Sequence, residues 1–422
     1  MKQDRLRMAL LSAHSCPAGA LGTRDTGGMN VYIRELAREL GREGHLVDVY
    51  TRAHGSQESQ VVALGDNARL VHLRAGENRK IKKAALYPRL PEFAGNLESF
   101  AEDAGLRYDL VFSHYWLSGW LGEYVQQQWR VPHMIMFHTL GAAKNAVGLG
   151  EAESELRIAT ERRLVETADR VIAATEKEKW TLARDYGCSD GKIGVVPCGV
   201  DLELFRPVDK ALARRKLKLG SGRMILFVGR MEPLKGIDNL LLAGSRLRHI
   251  PGLRMLLLGG DRHSLAEASR LKALAHDLGL DGSVLFLGSV RQDLLPYFYS
   301  AADACVIPSH YESFSLVALE SLACGTPVVA TDVGDLKNII HDGVSGYVVP
   351  VNDPGRLAGG IESLLSWPSR DSGSASAISE SVGRFSWPNI ATAIMEECRT
   401  MLAAHQTQGR GPAYVRTTGC VS

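Results

Sequence analysis

Short apolar runs alternate with amphipathic stretches from one end of the chain to the other, the pattern of parallel strands covered by helices. In the first half, residues 8–12, 46–50, 109–112, 133–137 and 171–174 read as strands. A Gly-rich loop follows the first of them, and a helix is predicted from about Met29 to Leu40. It sets Val31, Ile33, Leu36 and Leu40 mostly on one face and Arg34, Glu35, Arg38 and Glu39 largely opposite. A second array begins after residues 197–201, with strands predicted at 224–228, 254–258, 284–287, 304–307 and 327–330. Between the arrays, residues 203–207 and the polar helical segment around Lys210 to Lys218 form a candidate hinge. Residues 362–365 belong to another helix, 371–376 read as a loose loop, and Ser386, Trp387 and Pro388 start a last helix running to about Ala404.

This patterning predicts an α/β fold of two Rossmann-like domains facing each other across a cleft. The expected division is residues 1–204, residues 205–385, a C-terminal helix at 386–405 that packs back toward the first domain, and a disordered tail at 406–422. Ligands of such sheets bind outside the carboxyl ends of the strands, so the cleft is where chemistry is expected.

With 422 residues, 45% hydrophobic and 23% charged, the chain is globular in composition and long enough for two cores. A net charge of +2 spread over that length argues against nucleic acid as the main partner. Seven cysteines without a Cys-x-x-Cys pair indicate neither a zinc site nor a disulfide scaffold. The N-terminal apolar run continues into the Gly-rich loop rather than a cleavage site, and no apolar segment approaches the roughly 18 residues needed to span a bilayer. A cytoplasmic enzyme is the expectation.

Two groups of charged residues carry the chemical reading. Arg230 and Lys235 follow the strand at 224–228 on a loop broken by Pro233 and Gly236. Two cations at a strand's carboxyl end suit a diphosphate leaving group, although ordinary surface residues would look the same in isolation. Glu312 and Glu320 bracket the start of a helix, predicted near Phe314, whose N-terminus can receive a phosphate; Glu320 lies where it can accept both hydroxyls of a ribose, and Glu312 nearer a donor sugar. A capping glutamate and a solvent-facing one are the plainer alternative. Gly27 and Gly28 open the first helix as either a tight turn or a backbone approach to an anion, with His14, Asp25 and Asn30 on the same loop. Diphosphate and ribose together describe a nucleotide-activated sugar.

In this order, Gly27-Gly28, Arg230, Lys235, Glu312 and Glu320 resemble the retaining glycosyltransferases of the GT-B fold that carry a Glu-x7-Glu motif (glycosyltransferase group 1), and the resemblance covers nearly the whole chain. Within that family, Gly27-Gly-Met-Asn-Val-Tyr32, His114-Tyr-Trp-Leu-Ser-Gly119 and His138-Thr-Leu-Gly-Ala-Ala-Lys-Asn145 are most similar to the members that move N-acetylglucosamine from UDP onto inositol 3-phosphate. The resemblance implies that the second domain binds the nucleotide-sugar and the first the acceptor. It implies Arg230 and Lys235 on the diphosphate, Glu320 on the ribose, Glu312 on the donor hexose and Val290 on the base. Gly28, Ser315 and Leu316 would complete the donor site, and His138 would lie beside the transferred sugar. Lys83, Tyr115, Thr139 and Arg157 would hold the acceptor phosphate, with His14, Asp25 and Asn30 around the polyol.

From the residues alone, Arg157 would otherwise read as part of a solvated helix face, and the loop 79–87 is more basic than in the similar enzymes, leaving open which of its lysines meets the acceptor. The UDP-sugar is a substrate; no cofactor is expected to be required, no metal-ligand cluster is visible, and Mg2+ and a homodimer are left open. Transfer to fructose 6-phosphate, as in sucrose-phosphate synthases, or to a lipid or polysaccharide is the alternative activity. A nucleotide-binding regulator is disfavoured by the four charged residues occurring together, and an NAD-dependent oxidoreductase by the lack of a Gly-x-Gly-x-x-Gly between strand and helix.

Overall fold

The computed structural model describes residues 5–19, 27–55, 58–77, 81, 83–261, 264–367 and 372–407. Their strands form two sheets. The first contains β1 (Arg7–Ser12), β2 (Leu46–Arg52), β3 (Val61–Gly65), β4 (Ala68–Leu73), β5 (Leu110–His114), β6 (His133–Met136), β7 (Arg170–Ala173) and β8 (Ile193–Val195), in the spatial order β3-β4-β2-β1-β5-β6-β7-β8. All neighbours are parallel except β3 against β4. The second contains β9 (Met224–Val228), β10 (Arg254–Leu258), β11 (Val284–Gly288), β12 (Ala304–Ile307), β13 (Val328–Thr331) and β14 (Gly346–Val349), all parallel, in the order β11-β10-β9-β12-β13-β14.

Helices cover both faces of each sheet, which is why the central strands are mostly apolar runs, β9 and β12 at every position. The pleat sends alternate residues to opposite layers. Ala9 and Leu11 enter one core with Val111 and Ile135, while Met8 and Leu10 enter the other with Val47 and Phe112. The second sheet divides likewise, Leu226 and Leu256 on one side and Ile225 and Phe227 on the other.

Four strands were not foreseen, and each has a weak pattern. β3 is a partly exposed edge strand, β4 is interrupted by Arg69 and His72, β8 has three residues, and β14 follows directly on a turn. Among the residues expected to form a loose loop, 372–376 instead lie in a helix, Ser372–Glu380. Its Ser and Gly content is a poor helix signal, but burial of Ile378 and the Ser379 hydroxyl donating to Ala323 O at 2.7 Å tie it to the second domain, so tertiary packing overrides propensity. The last helix, Trp387–Thr407, buries Trp387, Ile390, Ile394 and Cys398 against the first domain's core, and Glu397 receives Arg170 at 2.5 Å. Of the expected tail, residues 408–422 lie outside the described residues.

The chain therefore crosses between domains twice, and the crossings run side by side. Val200 bridges Ser386, with the Val200 N–H donating to Phe385 O at 2.8 Å. A Cβ on Gly199 would stand 2.6 Å from the Trp387 ring, which packs edge-on against Tyr32. Gly199→Ala is thus expected to displace Trp387 and destabilise the protein by about 1–3 kcal/mol, as overpacking does. A urea midpoint equal to that of the parent would show that the crossing tolerates the methyl group.

Candidate active site at the two switch points

In each sheet the strand order turns back beside the first strand, between β1 and β5 in one and between β9 and β12 in the other. Loops leaving such a pair of strands diverge and open a crevice at their carboxyl ends. The first crevice receives His14 after β1 and Tyr115 after β5, and the second receives Arg230 and Lys235 after β9 and Glu312 after β12.

On the second domain, Lys235 Nζ donates to Glu312 Oε1 at 2.7 Å, and the Ser309 hydroxyl donates to the same oxygen at 2.8 Å. Arg230 pairs with Glu232 at 2.8 Å on the more open side of the loop. Gly236 makes this arrangement reachable. It sits at φ +65°, and a Cβ there would lie 2.0 Å from Pro308 O, so only glycine lets the β9 and β12 loops touch.

The helix after Glu312 starts at Leu316, two residues later than expected, with Ser315 as its N-cap and no side chain satisfying its first N–H groups. Its N-terminus is therefore a donor site for an anion. Glu320 is neither solvent-facing nor a cap: it is 8% exposed, and Oε2 accepts the Tyr299 hydroxyl at 2.7 Å. Burial raises its carboxyl to about 7 against that bond, which favours the charged form. Val290 lies just past β11, partly buried against the same core.

On the first domain, Tyr115 is the hub. Its ring lies 4.4 Å from that of His14, with the Arg157 guanidinium 4.7 Å and Lys83 Nζ 5.6 Å from its centroid. Burial, followed by the charges of Lys83 and Arg157, holds His14 well below the usual imidazole range, so it is neutral. Arg157 is not on a solvated face but 1% exposed. It donates through Nε to Glu161 at 2.7 Å, through Nη1 to Tyr115 Oη at 3.0 Å, and through Nη2 to Thr139 O and Oγ1 at 2.6 and 3.0 Å. Burial opposes its charge, but Tyr115, Glu161 and Glu153 raise its pKa overall.

Asn30 shapes the loop from within: its side chain accepts from the Ser15 hydroxyl and the Gly27 N–H and donates to Cys16 O at 2.7 Å. Asp25 and the basic residues Arg79, Lys80 and Lys82 lie outside the described residues.

Two residues of this wall have left-handed backbones, Tyr115 at φ +76° and His138 at φ +60°. Such strain in non-glycine residues persists only where the surroundings impose it, and it gathers at functional sites. His138 Nε2 lies 3.1 Å from His114 Nδ1, and burial lowers the His138 imidazole to about 3, leaving it neutral.

The two walls meet. The Ser313 hydroxyl, next to Glu312, donates to the His138 carbonyl, and Arg34 donates to Gln292 at 2.8 Å. Gly28 faces the mouth of the Leu316 helix, where a Cβ would stand 3.3 Å from the Leu316 side chain. The cleft thus brings Lys235, Glu312 and a helix N-terminus to one side of a neutral His138, with Tyr115, Thr139 and Arg157 on the other.

Several partners were not singled out from sequence: Glu153, Glu161, Lys144, His114, Tyr299 and Ser313. Glu161 stands four residues after Arg157 on a helix, a spacing that could have flagged it. Among the described residues, no group of three or more His, Cys, Asp or Glu side chains converges for a metal, and no helix is long and apolar enough to cross a membrane.

Residues 26–204 match the description Glycosyltransferase Family 4, and residues 209–378 match Glycosyl transferases group 1. The chain is 41% identical over 397 residues to D-inositol 3-phosphate glycosyltransferase 2 of Catenulispora acidiphila, with 92% of this chain and 93% of that protein covered. It is also 41% identical over 414 residues to the D-inositol 3-phosphate glycosyltransferase of Geodermatophilus obscurus, with 95% and 91% covered. Among solved structures, the sucrose-phosphate synthase of Thermosynechococcus elongatus is similar at a TM-score of 0.87 and 35% identity, over 95% of this chain and 100% of that one.

Proposed function

The chain belongs to the group 1 and family 4 glycosyltransferases of the GT-B fold, and on that premise we propose that it moves a hexose, N-acetylglucosamine or glucose, from a UDP-sugar to a phosphorylated polyol such as inositol 3-phosphate. The observation that carries this is the Ser313–His138 hydrogen bond, which joins the loop of Glu312 and Lys235 to the wall of Tyr115, Thr139 and Arg157. A donor's diphosphate and an acceptor's phosphate would then flank one sugar.

In this reading, Arg230, Lys235 and the N–H groups at Ser315 and Leu316 bind the diphosphate, Glu320 the ribose, Val290 the base, Glu312 the hexose, and Gly28 closes over them. The bond from the anomeric carbon to the diphosphate oxygen breaks while the acceptor oxygen bonds to the same face of that carbon. The acceptor's proton passes to the departing diphosphate, so the configuration is retained and no second carboxylate is required. His138, whose imidazole pKa burial lowers to about 3, is too weak a base to compete for that proton and hydrogen-bonds the transferred sugar. His14, Asp25, Asn30 and Lys83 complete the acceptor side of this cytoplasmic enzyme.

A second reading, transfer to fructose 6-phosphate, is favoured by the 35% identity to a sucrose-phosphate synthase. Radiolabelled UDP-N-acetylglucosamine and UDP-glucose, each tested with inositol 3-phosphate, fructose 6-phosphate and phosphate-free inositol, separate the two. Product with inositol 3-phosphate is expected; product with fructose 6-phosphate alone would replace the first reading by the second, and product with neither phosphate ester would remove both.

The raised Glu320 carboxyl gives a pH test. Ionised above about 7, it is a strong acceptor for ribose hydroxyls, and below that it takes up a proton and weakens. UDP affinity is expected to fall by about tenfold from pH 8 to pH 6 beyond the change seen in Glu320→Gln, a factor set by the loss of the ionised form. Calorimetry showing the same pH dependence in both proteins would remove Glu320 from the ribose.

A further inference from the structure

The acceptor wall contains an anion of its own. The Glu153 carboxylate contacts Lys144 Nζ through Oε1 and Arg157 Nη1 through Oε2, the latter at 2.9 Å. Burial alone would raise this carboxyl, but Arg157 and Lys144 hold it below the usual range, so it is charged. With Glu153 in place, every N–H of Arg157 has an acceptor: Glu161 at Nε, Tyr115 and Glu153 at Nη1, and Thr139 twice at Nη2. An incoming phosphate must displace one of these acceptors to reach the guanidinium.

The acceptors are not equally held. Glu161 is 0% exposed and is fixed by the Gly141 N–H at 2.9 Å and the Tyr186 hydroxyl at 2.7 Å. Thr139 and Tyr115 belong to the wall itself. Of the two carboxylates, Glu153 is the one that reaches solvent, with a side chain 21% exposed. Its backbone is separately anchored by Asn145, which accepts from the Glu153 N–H at 2.7 Å and donates to its carbonyl at 3.0 Å. The side chain can therefore rotate away without the loop moving.

Resting on the reading of this wall as the acceptor-phosphate site, we propose that Glu153 is a resident counter-anion that determines acceptor specificity, leaving Arg157 and Lys144 only when a dianion replaces it. The charges support an exchange rather than an addition. A dianion beside both Glu153 and Glu161 would outnumber Arg157, Lys144 and Lys83, whereas a dianion in place of Glu153 balances them. A monoanion gains too little to displace a carboxylate already paired with two cations. Glu153 thereby excludes singly charged ligands from a strongly basic pocket and keeps Arg157 paired while the site is empty.

The test uses the full chain and two probes, inorganic phosphate and methanesulfonate, with UDP binding as a check that the fold is intact. Wild-type protein is expected to bind phosphate and to discriminate against methanesulfonate. Glu153→Gln, which keeps the backbone anchor, is expected to bind phosphate about three- to tenfold more tightly and to lose most of that discrimination, the scale of one partly exposed ion pair. Unchanged or weaker phosphate binding in a variant that binds UDP normally would overturn the proposal, as would a wild-type crystal structure with phosphate on Arg157 and Glu153 still in contact with it. Absence of phosphate binding in both proteins would also overturn it, while leaving the transfer reaction to be judged by the sugar panel.

Discussion

Lys235→Ala is expected to lower kcat by on the order of 10²-fold or more while changing the KM for the UDP-sugar far less. Lys235 occupies a loop held by Gly236 against the β12 loop and is preset by Glu312 at 2.7 Å, so its ammonium needs little reorganisation as charge develops on the leaving diphosphate. Such a donor acts chiefly in the transition state, and removing one typically costs about 3 kcal/mol or more in barrier. Truncation also leaves Glu312 without its cation beside the hexose, adding an unfavourable negative charge where the diphosphate must leave. Steady-state kinetics at saturating acceptor make the distinction. A rise in KM with kcat preserved would mean that Lys235 supplies only uniform binding, and near-parental values of both would remove it from the site.

The fold was largely legible because the central strands of a doubly covered parallel sheet are continuous apolar runs. β9, β10 and β12 have the boundaries expected from sequence, whereas β3, β4, β8 and β14 lie away from the switch points, where apolar patterning weakens. The candidate donor side was legible for a related reason: Arg230, Lys235, Glu312 and Glu320 lie within or beside the elements that follow β9 and β12, so chain order nearly encodes proximity. The opposite wall was much less so. Tyr115, Thr139 and Arg157 come from separate segments and meet through a guanidinium whose burial no local pattern announces. The left-handed backbones of Tyr115 and His138 were equally hidden, since both residues have ordinary intrinsic preferences and the strain is imposed by packing. The helix starts at Leu316 rather than Phe314, and the Ser313 hydroxyl on the loop before it reaches His138 across the cleft, a contact no local pattern signals.

Arg157→Met should therefore have two separable effects. The first is on folding. Arg157 is the cation beside Glu161, which is 0% exposed, and removing one partner of a buried pair costs about 3–5 kcal/mol because the other charge stays buried without compensation. Much of that loss should return in Arg157→Met combined with Glu161→Gln, since the amide can still accept from Gly141 N–H and Tyr186 without carrying a charge. The second effect is on the acceptor wall. Methionine cannot hold the Tyr115 hydroxyl or the Thr139 side chain, so the double variant should regain stability without regaining transfer to a phosphorylated acceptor. Arg157→Lys should rescue neither property well, because a single ammonium cannot span Glu161, Tyr115 and Thr139 at once. Urea unfolding of the three variants, read beside their transfer rates, tests both parts. Full recovery of activity in the double variant would show that Arg157 acts only as a structural counter-ion, and additive destabilisation there would show that its pairing with Glu161 contributes little.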